Sequence, residues 1–124
     1  NSIKQYIEGG GKLLAECGGM MYLCTSIIGD NDIEYPMVNV FDQKATMKNM
    51  KLKLGYRQFT YNNIQIRGHE FHYPSVENQQ ESIVQQYSAK GMKVDTRLLR
   101  YKNAIAGYTH WYWPEIDNLL DIFN

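Results

Sequence analysis

Residues 12–23 read Lys12-Leu13-Leu14-Ala15-Glu16-Cys17-Gly18-Gly19-Met20-Met21-Tyr22-Leu23, and this stretch decides the fold. The apolar run that ends in cysteine predicts a short buried strand over residues 12–16, too apolar to be the edge strand of a sheet. The two glycines that follow permit a sharp turn. Apolar residues then recur at helical spacing and predict a helix that ends at Gly29, with the apolar face Met20, Leu23, Cys24, Ile27 and Ile28. A strand, a cysteine at a tight turn and a helix predict a nucleophile elbow with a thiol in place of a hydroxyl.

The position of Cys17 has a chemical consequence. A thiol at a helix N-terminus faces the positive end of the helix dipole, which predicts a pKa below the ordinary value of about 8.5 and a reactive thiolate. The backbone N–H of Gly18 is then placed to donate to an oxyanion. The alternative is a buried structural cysteine at a helix start, because free cysteine is among the most buried residue types.

Three further segments resemble one known family. Ala15–Leu23, Ala106-Gly107-Tyr108-Thr109-His110 and Gly68-His69-Glu70-Phe71-His72-Tyr73 resemble segments of the class I glutamine amidotransferase domains of the cobyrinic acid a,c-diamide synthase type. The second segment matches the family's Ala-Ser-Tyr-x-His pattern, with Gly107 in place of serine. The run from Met47 to Arg57 resembles the family's Met…Leu-Gly-Tyr-Arg segment. Together these matches cover most of the chain.

Length and composition bound the function. The 124 residues are enough for one modest domain, and 13 basic side chains balance 13 acidic ones, which disfavours nucleic acid or an anionic membrane as partner. No apolar run approaches the roughly 20 residues that span a bilayer. The two cysteines, Cys17 and Cys24, indicate reduced thiols rather than a disulfide scaffold, which predicts a cytoplasmic location.

The remaining pattern predicts an α/β domain with a mixed sheet and flanking helices. The predicted helices cover 2–8 and a C-terminal segment from Pro114, and the predicted strands lie within 36–41, 45–61, 64–73, 83–94, 98–101 and 104–108. A helix–strand–turn–helix opening implies a parallel sheet with further strands before it. The resemblance implies a flavodoxin-like fold whose N-terminal strands are missing, so we expect residues 1–124 to be the partial, C-terminal part of a glutamine amidotransferase domain.

A cysteine nucleophile needs a base, and His110 is the first candidate. It follows a predicted strand, and working groups of α/β sheets gather at the carboxyl ends of strands. The alternative is a packed core histidine between aromatic residues. The resemblance implies a catalytic Cys17–His110 dyad. Many class I glutaminases carry a glutamate two residues after the histidine, where this chain has Tyr112 and many cobyrinate-type relatives have histidine. Glu115 is a weak substitute, so the group that orients His110 stays open.

The segment 68–73 predicts a strand with two different faces. Alternation puts His69, Phe71 and Tyr73 on one face and Glu70 with His72 on the other. A carboxylate beside an imidazole could hold the ammonium group of glutamine or line the exit for ammonia, and the resemblance implies that His69, Glu70, His72 and Tyr73 bind substrate. A metal site is disfavoured, because His69 and His72 point to opposite faces. The neighbouring Arg57 is expected to be an exposed arginine on a structural strand.

The resemblance implies an enzyme that hydrolyses glutamine and supplies ammonia for amidation of the a and c carboxylates of cobyrinate, a corrinoid. No phosphate-binding loop occurs in this sequence, so no cofactor is expected here, and ATP and Mg²⁺ are expected in a separate synthetase domain. The family's second oxyanion donor comes from an upstream glycine-rich segment, so we expect residues 1–124 alone to be nearly inactive. Alternatives are the glutaminase of cobyric acid synthase, of nickel-sirohydrochlorin diamide synthase or of a cell-wall amidase pair. A non-catalytic binding module with a structural cysteine is the alternative from another class.

Overall fold

The computed structural model describes residues 2–48, 50–77 and 79–124. These residues form two short α-helices, α1 (Ser2–Glu8) and α2 (Gly18–Tyr22), and two 3-10 helices, Trp113–Glu115 and Leu119–Phe123. The strands are β1 (Leu13–Glu16), β2 (Cys24–Ile28), β3 (Glu34–Pro36), β4 (Phe41–Thr46), β5 (Lys53–Tyr61), β6 (Ile64–His72), β7 (Ser75–Glu77), β8 (Gln86–Tyr87), β9 (Lys93–Val94), β10 (Leu98–Tyr101), β11 (Ala104–Gly107) and β12 (His110–Trp111).

A three-stranded sheet in the order β1-β11-β10 forms the middle layer, with β1 parallel to β11 and β10 antiparallel to it. Its two faces carry different clusters of apolar side chains, as alternation along a strand requires. Ala104 and Ala106 pack on one side with Ile7, whereas Ile105 packs on the other side with Ile66. The middle sheet is therefore covered on both faces. Because β1 and β11 are parallel, their carboxyl ends lie at the same edge of this sheet.

Two further sheets flank this layer. One is mixed, in the order β3-β2-β4-β7, with β2 parallel to β4. The other is antiparallel, in the order β12-β6-β5-β8-β9, and its longest pairing is the hairpin of β5 and β6. Asn62 and Asn63 form the turn of that hairpin with φ angles of 51° and 61°, the left-handed pair that a two-residue hairpin turn requires.

Much of the predicted pattern is confirmed. The α/β class, the helix over residues 2–8, the strand before Cys17, the long strand from Ile64, the hairpin near Gly91 and the antiparallel pair around Lys102 are all present. The predicted run 45–61 and the predicted loop 77–81 include Asn49 and Asn78, which lie outside the described residues.

The helix predicted to reach residue 28 is wrong. Helix α2 ends at Tyr22, and Cys24–Ile28 is strand β2, which pairs with both β3 and β4. The apolar positions of this segment fit both the helical period of 3.6 residues and the strand period of two residues. The β-branched residues Thr25, Ile27 and Ile28 favour the strand, and its pairing on two edges decides the outcome.

Three other expectations need correction. The strand predicted over 36–41 is wrong, because Pro36 ends β3, Phe41 begins β4 and residues 37–40 lie between the two strands. The predicted C-terminal helix is two 3-10 turns with Ile116 and Ile122 buried. Strand β1 pairs on one side only in the described part of the chain, so it is an edge strand there. Strand β1 is apolar because both of its faces are covered. A run of apolar residues shows that the faces are buried, but it does not show whether one or both edges of the strand are paired. None of the described helices has the length and apolar content needed to cross a bilayer.

Candidate active site

Cys17 lies at a strained turn between β1 and α2. Its φ and ψ angles are 53° and −110°, a conformation that a non-glycine residue adopts only when its surroundings enforce it. The Cys17 N–H donates to the carbonyl oxygen of Gly107 at 2.8 Å, and the Met21 N–H donates to the Cys17 carbonyl oxygen at 3.1 Å. No atom lies within 4 Å of where a Cβ on Gly18 would stand. The predicted elbow is therefore present, with open space beside the cysteine.

The expected lowering of the Cys17 pKa is wrong. Partial burial raises the pKa of the thiol, the Gly18 N–H lowers it, and the negative charges of Glu70 and Glu16 raise it further. Helix α2 has only five residues, so its dipole is small beside two carboxylates. The net direction is upward, and the thiol needs a base to become a nucleophile.

The two candidate catalytic residues follow neighbouring parallel strands. Glu16 and Gly107 are register partners at the carboxyl ends of β1 and β11. Cys17 comes directly after the first strand, and His110 begins β12 three residues after the second. The topology thus brings both residues to the same rim of the middle sheet, as a pairing of cysteine and histidine requires.

His110 is part of an aromatic stack on the outer face of β6. Its ring lies 5.5 Å from that of His69 in a stacked arrangement, and the ring of Tyr112 lies 6.1 Å from His69. Strand β12 pairs with β6 at His110 opposite His69. A Cβ on Gly68 would overlap the carbonyl oxygen of His110. The glycine of the 68–73 segment therefore lets β6 approach the histidine strand.

Glu16 joins the two halves of the site. Its Oε2 accepts a hydrogen bond from the Trp111 N–H at 2.6 Å and one from Trp113 Nε1 at 3.4 Å. From the sequence pattern, Glu16 is identified only as the last residue of a strand. The available signal was a single carboxylate closing an apolar run directly before the cysteine.

The inner face of β6 carries a buried polar network. Glu70, 1% exposed, accepts hydrogen bonds from Arg57 Nε at 2.9 Å and from Thr96 Oγ1 at 2.6 Å. His72 Nε2 lies 2.5 Å from the other carboxylate oxygen of Glu70, and its Nδ1 lies 2.7 Å from the carbonyl oxygen of Pro74. Burial alone would raise the pKa of Glu70, but the hydrogen bonds from His72 and Thr96 outweigh it and hold the pKa at about 2. Glu70 is therefore an anion inside the protein.

The predicted alternation along β6 is confirmed, because His69 and Phe71 are exposed while Glu70 and His72 are buried. The expected exposure of Arg57 is wrong: the side chain is buried, since it turns inward to Glu70. Gly55 makes room for this turn, because a Cβ there would lie 2.5 Å from Arg57 Nη1. The glycine thus marks a close approach of a side chain rather than a bulge.

Beside Glu70 and His72 lies a cavity of about 80 Å³, which Tyr108 also lines. The rings of His72 and Tyr108 are stacked with centroids 3.5 Å apart. The Tyr108 hydroxyl is buried and has no hydrogen-bond partner among the described residues, and burial raises its pKa. The cavity thus brings together the carboxylate of Glu70, the imidazole of His72 and the hydroxyl of Tyr108, which lies two residues before His110 in the chain.

Two candidate residues stand apart from the dyad. Tyr73 is half-exposed, and its ring meets Phe71 edge-to-face at 6.1 Å. Glu115 forms two hydrogen bonds of 3.0 Å with Arg67 and so does not orient His110. Within the described residues no three metal-ligating side chains come together, and both cysteines are free thiols.

Comparison with known proteins places this site in a family. The family described as "CobB/CobQ-like glutamine amidotransferase domain" matches residues 1–116. The cobyrinate a,c-diamide synthase of Priestia megaterium is 35% identical over 130 aligned positions, which cover 98% of this chain and 28% of that protein. The enzyme of the same name from Sulfurisphaera tokodaii is 35% identical over 129 positions, covering 95% and 29%.

A third relative with that name, from Saccharolobus solfataricus, is 31% identical over 122 positions that cover 90% of this chain and 28% of its own length. The chain thus spans less than a third of the length of these relatives. The family match includes all of the residues that build the elbow, the 68–73 segment and the histidine strand β12. This chain belongs to the CobB/CobQ-like glutamine amidotransferase domain family.

Proposed function

We propose that this chain is the C-terminal part of the glutaminase domain of a cobyrinate a,c-diamide synthase, with Cys17 and His110 as its catalytic dyad. The observation that carries the proposal is the topology. The strained cysteine and the histidine follow the carboxyl ends of two hydrogen-bonded parallel strands. The names of the relatives support the choice of glutamine and a corrinoid as substrates.

The proposed reaction starts with transfer of the thiol proton from Cys17 to His110, because the raised pKa of the thiol leaves little free thiolate at neutral pH. The sulfur attacks the side-chain amide carbon of glutamine, and the Gly18 N–H donates to the oxygen that becomes negative. His110 passes its proton to the amide nitrogen, the carbon–nitrogen bond breaks, and ammonia leaves. Water then attacks the glutamyl thioester while His110 accepts its proton, and glutamate and the free thiol are released.

The 68–73 segment is proposed to serve the substrate from both faces of β6. His69 stacks on His110, and the exposed ring of Tyr73 contacts Phe71, which lies on the same outer face as His69. Both His69 and Tyr73 are therefore proposed as substrate-side residues. Glu70 and His72 line the cavity behind Tyr108. This position supports the proposal that the pair lines the exit for ammonia.

The rest of the proposed enzyme lies beyond this chain. We propose a flavodoxin-like glutaminase fold completed by further N-terminal strands, and a synthetase domain that uses ATP and Mg²⁺ to activate the corrinoid carboxylates. Free thiols support a cytoplasmic location. Because part of the oxyanion site is expected from the added strands, residues 1–124 alone should hydrolyse glutamine far more slowly than the full-length protein.

The experiment is glutamine hydrolysis by the full-length protein and its variants. We expect Cys17→Ser to lower kcat by about 10³-fold or more, and His110→Ala by about 10²- to 10⁴-fold. Cys24→Ala is the matched control, since the Cys24 thiol is buried and faces Met20 and Gln43. Full activity of Cys17→Ser would refute the proposal. Equal inertness of Cys17 and Cys24 toward a glutamine-analogue electrophile would favour a non-catalytic binding module. Amidation of a nickel tetrapyrrole or of cobyric acid precursors instead of cobyrinate would assign one of the related synthases.

A further inference from the structure

The side-chain contacts of His110 do not explain how its imidazole is oriented. In the described part of the chain no group hydrogen-bonds its imidazole, whose ring contact is the stack with His69. Tyr112 occupies the position where many class I glutaminases carry an orienting glutamate. Any fixed orientation must therefore come from the backbone that carries the histidine.

That backbone is held on both edges. On one edge β12 pairs with β6, and the Tyr112 N–H donates to the Arg67 carbonyl oxygen at 2.8 Å. On the opposite edge the Trp111 N–H points away from β6 and donates to Glu16 Oε2 at 2.6 Å. The same oxygen accepts from the Trp113 indole. A strand of two residues has few ladder bonds of its own, so a hydrogen bond to an acceptor on its free edge helps to fix its position.

The acceptor of the Trp111 N–H bond, Glu16, lies next to the candidate nucleophile. Glu16 is the residue directly before Cys17, and its backbone is fixed in the parallel ladder opposite Gly107. Its side chain reaches across 95 sequence positions to the residue directly after His110. One carboxylate thus ties the nucleophile turn to the histidine strand. Catalytic rates depend steeply on the separation of the reacting groups, since a displacement of about 1 Å can lower the rate about 10²-fold.

We propose that Glu16 is the positioning residue of the dyad: by accepting the Trp111 N–H it sets the imidazole of His110 relative to the sulfur of Cys17. The role rests on the proposed glutaminase function and assigns to a residue of β1 the task that elsewhere falls to an acid after the histidine. It requires an acceptor oxygen at one place, not a negative charge.

The test separates the acceptor from the charge in the full-length protein. Glu16→Gln keeps an acceptor oxygen at the same reach and removes the charge, whereas Glu16→Asp keeps the charge and withdraws the oxygen by one methylene. Glu16→Ala removes both. Glu115→Gln is the control, because it removes a nearby carboxylate whose hydrogen bonds go to Arg67. The readouts are kcat and KM for glutamine hydrolysis, with the thermal unfolding midpoint of each variant.

We expect Glu16→Gln to keep kcat within about fivefold, and Glu16→Asp and Glu16→Ala to lower it by about 30- to 100-fold with KM changed less than about threefold. Glu115→Gln should match the wild type. The positioning role is overturned if Glu16→Asp is active while Glu16→Gln is not, or if all three Glu16 variants behave like Glu115→Gln. Absence of hydrolysis in the wild type would instead refute the glutaminase function itself. Should Glu16→Ala fail to fold, the Gln and Asp variants still decide.

Discussion

At the scale of single residues, Cys17 shows that a position at a helix N-terminus does not by itself lower the pKa of a thiol. Sequence spacing correctly predicted a turn with Cys17 at its apex. It could not predict that the helix would be one turn long, nor that Glu70 would fold to the inner side of the same site. The direction of the pKa change is set by these longer-range neighbours. In the proposed dyad, the elbow presents the sulfur and His110 takes the thiol proton.

The raised Cys17 pKa gives a prediction for alkylation. The rate of reaction of Cys17 with iodoacetamide should rise with pH and reach its midpoint above about 8.5, because burial and two carboxylates disfavour the thiolate. Glu16→Gln removes one of these charges, so its midpoint should shift to lower pH. Mass spectrometry of the Cys17 peptide measures both, and Glu115→Gln serves as the control. A midpoint that stays in place or rises in Glu16→Gln would contradict this electrostatic account.

At the scale of elements, the sequence predicts the alternation of faces within one strand. It does not predict the contacts and pairings between strands. The two faces of β6 follow from alternation alone, so the sequence could predict that Glu70 and His72 lie on the face opposite His69. The partner of Glu70 could not, because Arg57 lies on β5 and turns inward through the space left by Gly55. Likewise β2 was mistaken for a helix, since its pairing with β3 and β4 is invisible in its own periodicity.

The hairpin of β5 and β6 offers a matched pair of arginine–glutamate contacts. Arg57–Glu70 is buried, whereas Arg67–Glu115 is exposed. Glu70→Gln leaves the Arg57 charge buried without its counter-ion and should lower the free energy of unfolding by about 3–5 kcal/mol. Glu115→Gln should lower it by less than about 1 kcal/mol. Urea denaturation of both variants measures the difference, and equal losses would show that the buried pair has no special weight.

At the scale of the whole molecule, the buried anion links stability to pH. The pKa of Glu70 is about 2 in the folded protein, against an ordinary value of 4.5. The unfolded chain therefore binds a proton first as the pH falls, and the contribution of Glu70 is complete above about 4.5 and lost toward pH 2. At about 1.4 kcal/mol for each pH unit between the two values, the contribution of Glu70 to the free energy of unfolding is about 3–4 kcal/mol.

The measurement is the free energy of unfolding of wild type and Glu70→Gln in urea between pH 6 and pH 2.5. The gap between the two proteins should stay constant down to about pH 4.5 and narrow below it, because only the wild type loses the ionised carboxylate. Glu115→Gln should track the wild type throughout. A gap that stays constant down to pH 2.5 would mean that the charge of Glu70 does not support the fold.

The arrangement of layers marks the limit of what the sequence predicts. The motif segments could be placed on strands and turns, and the candidate dyad could be named from the carboxyl ends of those strands. The contacts that complete the site join distant segments, as Glu16 joins Trp111 and Thr96 joins Glu70. Such contacts depend on sheet order, which short local patterns do not encode.

The central claim is that Cys17 forms a covalent thioester with the side-chain carbonyl of glutamine. Hydroxylamine, added during turnover of the full-length protein, should capture this intermediate as γ-glutamyl hydroxamate, since it attacks thioesters faster than water does. We expect hydroxamate from the wild type and from Cys24→Ala, and none from Cys17→Ser. Hydrolysis of glutamine without hydroxamate, or equal hydroxamate from Cys17→Ser, would contradict the claim.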